Sequence, residues 1–144
     1  MIALLTSLLA ITLRAGTSLI FASIGEIYTE RSGILNLGIE GMMLMSAVTS
    51  FATVYYTGNL FLGILIAMLV GGVLAAIHAF LSITMRANQV VSGLCITLFG
   101  SGMGTFLGQK LGPESNSNYL VGLVGQKFEP LAIPLLNKLP VIGA

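Results

Sequence analysis

The sequence has few charged residues and contains neither tryptophan nor aspartate. Only 8% of its 144 residues are Asp, Glu, Lys or Arg, whereas 56% are hydrophobic. A soluble globular domain carries roughly 25% charged residues, and it could not cover its surface with so few. Lipid as the solvent removes this difficulty, so the composition predicts an integral membrane protein. The net charge of +1 argues against a nucleic-acid partner.

Reactive side chains are equally scarce. The single cysteine, Cys95, cannot form an internal disulfide, and with the single histidine, His78, it makes no cluster typical of a metal site. The sequence has neither a GxxxxGK[ST] loop nor a GxGxxG loop for a nucleotide. We therefore expect no enzyme activity, no cofactor and no metal, and any energy for the protein's work would come from a partner.

Four apolar stretches approach the length of about 20 residues that a membrane helix needs. They are residues 2–24, 34–56, 60–85 and 90–107. The second is the weakest, because it contains an asparagine, a glutamate and glycines. The pattern predicts an all-α fold: one transmembrane domain over residues 1–144, a bundle of about four helices whose second helix is broken or interrupted by glycine.

The connections suggest how the chain is oriented. Short loops with Lys or Arg tend to be cytoplasmic, which places Arg31 and Arg86 inside and the long polar loop at 109–139 outside. The opposite orientation would put the three lysines of that loop inside, and we give more weight to the short loops. The chain ends in an apolar run and has few helices for a route, so we expect it to be part of a longer protein.

The stretch around residues 33–41 is the most unusual. Gly33, Asn36 and Glu40 would share one face of a helix. A carboxylate at membrane depth costs roughly 2.5–3.5 kcal/mol, so it is expected to face the bundle interior or a polar cavity. Transporters use broken helices near the bilayer midplane for substrates or ions. The alternative is structural: Glu40 pairs with Arg14 or with a neighbouring helix and holds the bundle together.

A second polar patch joins the third and fourth helices. Asn88, Gln89 and Ser92 either line a translocation route or form an ordinary turn at the membrane boundary. In the second interpretation Arg86 is there because of the positive-inside rule.

Small residues recur every four positions on the third and fourth helices. Gly71 and Ala75 belong to one such stripe, and Gly100 and Gly104 to another. Small residues let helix backbones approach closely in lipid, so we expect these positions to pack against other helices. His78 lies on nearly the same face as Gly71, and we expect it to form a hydrogen bond with a neighbouring helix.

Two segments resemble a known family. Residues 25–42, GEIYTERSGILNLGIEGM, are similar to the signature of permease subunits of bacterial ABC importers, in the branched-chain amino acid, ribose and simple-sugar permease family. The Glu-Arg-Ser-Gly, Asn-Leu-Gly and Glu-Gly-Met elements most resemble its nucleoside branch. Residues 86–94, RANQVVSGL, are similar to a second marker of that branch.

The resemblance implies a multi-pass permease of the bacterial plasma (inner) membrane that forms the path for a small polar solute, with nucleosides as the leading substrate. A sugar or branched-chain amino acid permease is the alternative within the family, and a structural subunit of a membrane complex is the alternative outside it. Asn36, Glu40, Asn88 and Gln89 match family motif positions near the route.

The resemblance also implies partners. They are a second permease subunit in a homodimer or heterodimer, cytoplasmic ATPase subunits, an extracytoplasmic substrate-binding lipoprotein and membrane lipid. Family members are longer, so this chain would correspond to their N-terminal half. The contact with the ATPase would then belong to the other half.

Overall fold

The computed structural model describes residues 2–111, which are helical apart from three connections. The helices are α1 (Ile2–Arg31), α2 (Ile39–Thr57), α3 (Leu60–Ala79) and α4 (Gln89–Leu111), and α3 continues into a π-helical turn at Phe80–Thr84. The all-α prediction is confirmed. Three stretches in this part of the chain are long and apolar enough to cross a membrane, namely Leu4–Arg31, Leu60–Thr84 and Gln89–Lys110.

Helix α1 is longer than the sequence predicts. Its expected end was residue 24, but it continues to Arg31. Residues 25–31 include no proline, and their two glutamates and their arginine are good helix formers. Residues 2–28 belong to one compact unit of the chain, whereas residues 29–111 belong to a second.

Hydroxyl groups on α1 are satisfied within the helix itself. Thr12 donates to the carbonyl oxygen of Leu8 at 2.9 Å, and Thr17 donates to that of Leu13 at 2.7 Å. Such bonds to the preceding turn are common for Ser and Thr in helices. They leave these side chains with no need of water in a hydrocarbon environment.

Helix α1 is followed by a residue in the left-handed conformation, Gly33, whose φ is 83°. The N–H of Gly33 donates to the carbonyl of Glu30 at 2.9 Å, and that of Ile34 donates to the carbonyl of Thr29 at 3.1 Å. This pair of bonds is a Schellman motif, which closes the helix and directs the chain away from it. Only glycine adopts this φ without strain, so the motif accounts for Gly33.

Residues 32–38, which we call the connector, form no helix and separate α1 from α2. The prediction that the second helix starts at residue 34 is wrong, because α2 starts at Ile39. Asn36 explains the difference: its Oδ1 accepts the N–H of Gly38 at 3.0 Å, and such a local bond competes with helical hydrogen bonding. Helix α2 itself is continuous from Ile39 to Thr57, so the predicted interruption does not lie within it, and the polar stretch forms the non-helical connector before it.

Helix α2 is central in the second unit and packs against both α3 and α4. It runs antiparallel to α3, since the two are joined by a tight turn at Gly58 and Asn59. Asn59 caps α3, because its Oδ1 accepts the N–H groups of Phe61 and Leu62 at 3.0 and 3.2 Å. The buried core shared by α2, α3 and α4 consists of Met42, Met45, Leu74 and Ile96.

Helices α2 and α4 run parallel and nearly touch through their backbones at two glycines. A Cβ on Gly41 would overlap the carbonyl of Ile96, and a Cβ on Gly100 would overlap the carbonyl of Gly41. One turn further along both helices, Gly104 lies against Leu44. The helices can approach this closely only because neither glycine has a side chain.

The other packing stripe is less regular. Gly71 faces α2, where an added Cβ would lie 2.8 Å from the Oγ of Ser46. Ala75, four residues further along α3, is exposed on the described part of the chain. Of these two small residues, Gly71 therefore contacts a helix, whereas Ala75 lies on the exposed surface of the described chain.

The ends of the last two helices also differ from the prediction. The stretch expected to be a helix over residues 60–85 ends in the π-helical turn, and Arg86 follows with a φ of 52°. Helix α4, expected over residues 90–107, runs from Gln89 to Leu111. Asn88 precedes its first residue and caps it, because its Oδ1 accepts the N–H groups of Val90 and Val91 at 3.0 and 3.3 Å. The predicted external loop at 109–139 lies almost entirely outside the described residues.

The crossing of α2 and α4 yields a test. Replacing Gly100 with Ala adds a methyl group where the Gly41 backbone already lies, so we expect a loss of about 1–3 kcal/mol in stability. Gly102→Ala is the matched control on the same helix, since no atom lies within 4 Å of its added Cβ. Thermal unfolding of the full-length permease in detergent would measure both. Equal melting temperatures for the two variants would contradict the close crossing.

Candidate functional site

The connector is bonded mainly to side chains of other helices. The N–H of Leu35 donates to Oε1 of Gln89, at the start of α4, at 2.7 Å. The carbonyl of the same residue lies 3.2 Å from Nε2 of His78 on α3. Side chains from two helices thus satisfy both backbone polar groups of Leu35.

Two further carbonyls of the connector have the same kind of partner. Thr97 on α4 donates its hydroxyl to the carbonyl of Leu37 at 2.6 Å, and Nε2 of Gln89 donates to the carbonyl of Gly33 at 3.4 Å. Non-helical backbone at membrane depth is tolerated only where protein or a water-filled cavity satisfies its polar groups. The bonds from Thr97, Gln89 and His78 meet that requirement.

His78 is almost completely buried, with 3% of its surface exposed. Its second ring nitrogen, Nδ1, lies 3.1 Å from the hydroxyl of Ser92 on α4. The ring therefore links α3, α4 and the connector. Ser82, one turn beyond His78, provides a contrast: within the described residues its buried hydroxyl has no hydrogen-bond partner.

Contacts along α4 place the start of α2 within two turns of the start of α4. Gly33 of the connector is bonded to Gln89, the first residue of α4, whereas Gly38, the last residue of the connector, lies against Gly93 and Ile96. Ile96 follows Gln89 by seven residues, or roughly 10 Å at 1.5 Å per residue. The connector therefore runs along the first two turns of α4, and α2 continues along the rest of that helix.

Glu40 lies in the first turn of α2, and its side chain is exposed on the described chain. Within residues 2–111 it forms no hydrogen bond or ion pair. The helix macrodipole favours a negative charge at this position. The suggested partner, the side chain of Arg14, lies outside what the structure describes, so that pairing stays a prediction.

The six candidate residues for a substrate pathway differ in how their side chains or backbones are used. Five have structural contacts: Gly33 in the turn after α1, Asn36 in the connector, Asn88 as the cap of α4, Gln89 bonded to Leu35, and Ser92 bonded to His78. Glu40 alone has no such contact in the described chain. Contact of any of these six residues with a substrate stays a prediction.

Sequence reasoning missed part of this network. It anticipated a hydrogen bond from His78 to a neighbouring helix, but not the second bond to the connector. It gave no role to Thr97, because a lone threonine in an apolar helix usually bonds to its own preceding turn. The signals for His78 were its position as the sole histidine of the sequence, inside an apolar stretch, and its place on nearly the same helix face as Gly71.

A shallow pocket opens where the connector leaves α1. It has a volume of about 250 Å³, and its lining consists of Glu30, Gly33, Ile34, Leu35 and Gln89. Among the described residues, no three His, Cys, Asp or Glu side chains lie close enough together to bind a metal ion.

These features define a class of protein. The chain is a multi-pass membrane protein in which the non-helical connector at residues 32–38 separates the first two helices. Residues 8–133 match the family described as the branched-chain amino acid transport system permease component, and the chain belongs to this family.

Curated relatives support the same assignment. The chain is 43% identical, over 94% of its length, to a putative glucose ABC transporter permease protein of Haloferax volcanii. It is 34% identical, over 88%, to a nucleoside ABC transporter permease protein of Lactococcus lactis and 30% identical, over 97%, to a guanosine ABC transporter permease protein of Bacillus subtilis.

The chain covers only part of each relative. It spans 40% of the length of the first two and 44% of the third. No solved structure matches the chain.

The two serines near His78 allow a matched comparison. Ser92→Ala leaves the buried Nδ1 of His78 without a partner, so we expect a loss of about 1–3 kcal/mol in stability. Ser82→Ala removes a buried hydroxyl that has no partner, so it should be neutral or slightly stabilising. Melting temperatures of the full-length permease in detergent would test this order, and a greater loss from Ser82→Ala would refute it.

Proposed function

We propose that this chain forms part of the translocation path for a small hydroxylated solute in an ABC importer of the plasma membrane, with nucleosides as the leading substrate. The proposal depends mainly on Glu40. Its carboxylate lies in the first turn of α2, it is exposed on the described chain, and the described side chains around it do not bind it.

The local chemistry suits a polar, neutral solute. The N–H groups in the first turn of a helix have no partner within that helix, so the start of α2 supplies hydrogen-bond donors. Glu40, in the same turn, supplies a charged acceptor. A solute with hydroxyl groups can donate to the carboxylate and accept from the N–H groups. A zwitterionic amino acid could also satisfy both, so geometry alone does not select the substrate.

The relatives favour hydroxylated substrates. Their names specify nucleoside, guanosine and glucose. Nucleosides and glucose share sugar hydroxyl groups, which are the groups that a carboxylate such as that of Glu40 would accept. The identity of 43% to the putative glucose permease makes a sugar the second candidate.

The proposed partners are a second permease subunit, cytoplasmic ATPase subunits that supply the energy and an extracytoplasmic substrate-binding lipoprotein. One structural relation fits the proposed orientation. Arg31 precedes Gly33 and Arg86 precedes Gln89, and the bond between Gly33 and Gln89 brings these two loops to the same end of the bundle. Both arginines would then lie on the cytoplasmic side, as the positive-inside rule requires.

Neutralising Glu40 tests the proposed path. Glu40→Gln keeps the size of the side chain and removes the charged acceptor. Loss of a hydrogen bond to a charged group costs about 1.5–3 kcal/mol, so uptake by the complete transporter should fall about tenfold to a hundredfold.

Glu30→Gln is the control for the loss of an exposed acid, because Glu30 lies at the end of α1 and lines the shallow pocket beside the connector, not the first turn of α2. Its uptake should equal that of the wild type at equal membrane expression. Wild-type uptake by the Glu40→Gln variant would rule out a role for this carboxylate.

Competition separates the candidate substrates. We expect labelled guanosine to enter cells that carry the complete transporter, and excess unlabelled nucleoside to suppress its uptake more strongly than glucose or leucine does. Glucose uptake without nucleoside uptake would support the sugar permease instead, and leucine uptake alone would reject a hydroxylated substrate.

A further inference from the structure

We infer that His78 is a positioning residue of the translocation path. With its hydrogen on Nε2, the ring donates to the Leu35 carbonyl and thereby holds the connector from which α2 and Glu40 follow. The uptake test of this inference rests on the proposed function, whereas the tautomer can be measured without any transport.

The tautomer follows from the chemistry of the two partners of the ring. A backbone carbonyl only accepts hydrogen bonds, so Nε2, at 3.2 Å from the carbonyl of Leu35, must carry the hydrogen. In the neutral ring Nδ1 then has a lone pair, and the hydroxyl of Ser92, at 3.1 Å, donates to it. The hydrogen-bond direction runs from Ser92 through the ring of His78 to Leu35.

The positioning role follows from where this hydrogen bond acts. Leu35 lies in the middle of the connector, outside any helix, so no helical hydrogen bond fixes its carbonyl. Oε1 of Gln89 accepts the N–H of Leu35 at 2.7 Å, and Nε2 of His78 lies 3.2 Å from the carbonyl of Leu35. Glu40 is only five residues further along the chain. Without His78 the Leu35 carbonyl would lose its hydrogen-bond partner, and the connector would have to rearrange to satisfy it.

Two substitutions distinguish the ring nitrogens. The amide nitrogen of glutamine is as many bonds from Cβ as Nε2, whereas that of asparagine corresponds to Nδ1. His78→Gln can therefore still donate to the Leu35 carbonyl, whereas His78→Asn loses that bond. In the complete transporter we expect His78→Gln to retain most of the wild-type uptake and His78→Asn to lose about tenfold. Equal uptake by the two variants, whether high or low, would overturn the inference.

The wild-type protein provides a measurement that needs no variant. In the full-length permease labelled with ¹⁵N-histidine, the signal of His78, assigned by its disappearance in His78→Gln, should show Nε2 protonated and Nδ1 unprotonated at neutral pH. A proton on Nδ1 alone, or rapid exchange between the two tautomers, would overturn the inference. If the tautomer is as inferred but Glu40→Gln transports normally, the proposed role of Glu40 fails while the bond from His78 to Leu35 stands.

Discussion

The fold of residues 29–111 depends on one constraint, the need to satisfy the backbone of a non-helical segment packed between membrane helices. A helix bonds its own backbone, but the connector cannot. Its polar groups are bonded instead by His78, Gln89 and Thr97, from two different helices. The connector can therefore exist only where α3 and α4 present these side chains together, and its position in turn determines where α2 starts.

Close helix packing makes this arrangement possible. The hydroxyl of Thr97 reaches the Leu37 carbonyl at 2.6 Å because α4 lies directly against the connector and α2. That proximity requires glycine at Gly41 and Gly100, where the two backbones nearly touch. Lipid provides little hydrophobic drive between helices, so association relies on such backbone contacts and on hydrogen bonds between helices. Both kinds of contact occur here along the same face of α4.

The helices could be predicted from the sequence because their signal is local. Long apolar runs specify membrane helices whatever their neighbours. The start of α2 could not be read from periodicity, because the local bond between Asn36 and Gly38 competes with a helix that has similar composition. The network around His78 could not be predicted from the sequence either. It joins His78 to Leu35, 43 positions away, and to Ser92, 14 positions away, and only the folded chain brings them together.

The same network changes how the polar side chains of the two motifs are interpreted. Asparagine, glutamine and serine at membrane depth suggested a solute path, but in the structure their polar groups support the connector or cap a helix. Glu40 differs, since its side chain is exposed and no partner in the described chain binds it. A carboxylate within a membrane costs roughly 2.5–3.5 kcal/mol, so it is expected to meet either a polar group outside the described residues or a polar route. In both cases the connector determines where this charged group lies, because His78 and Gln89 fix the segment from which α2 starts.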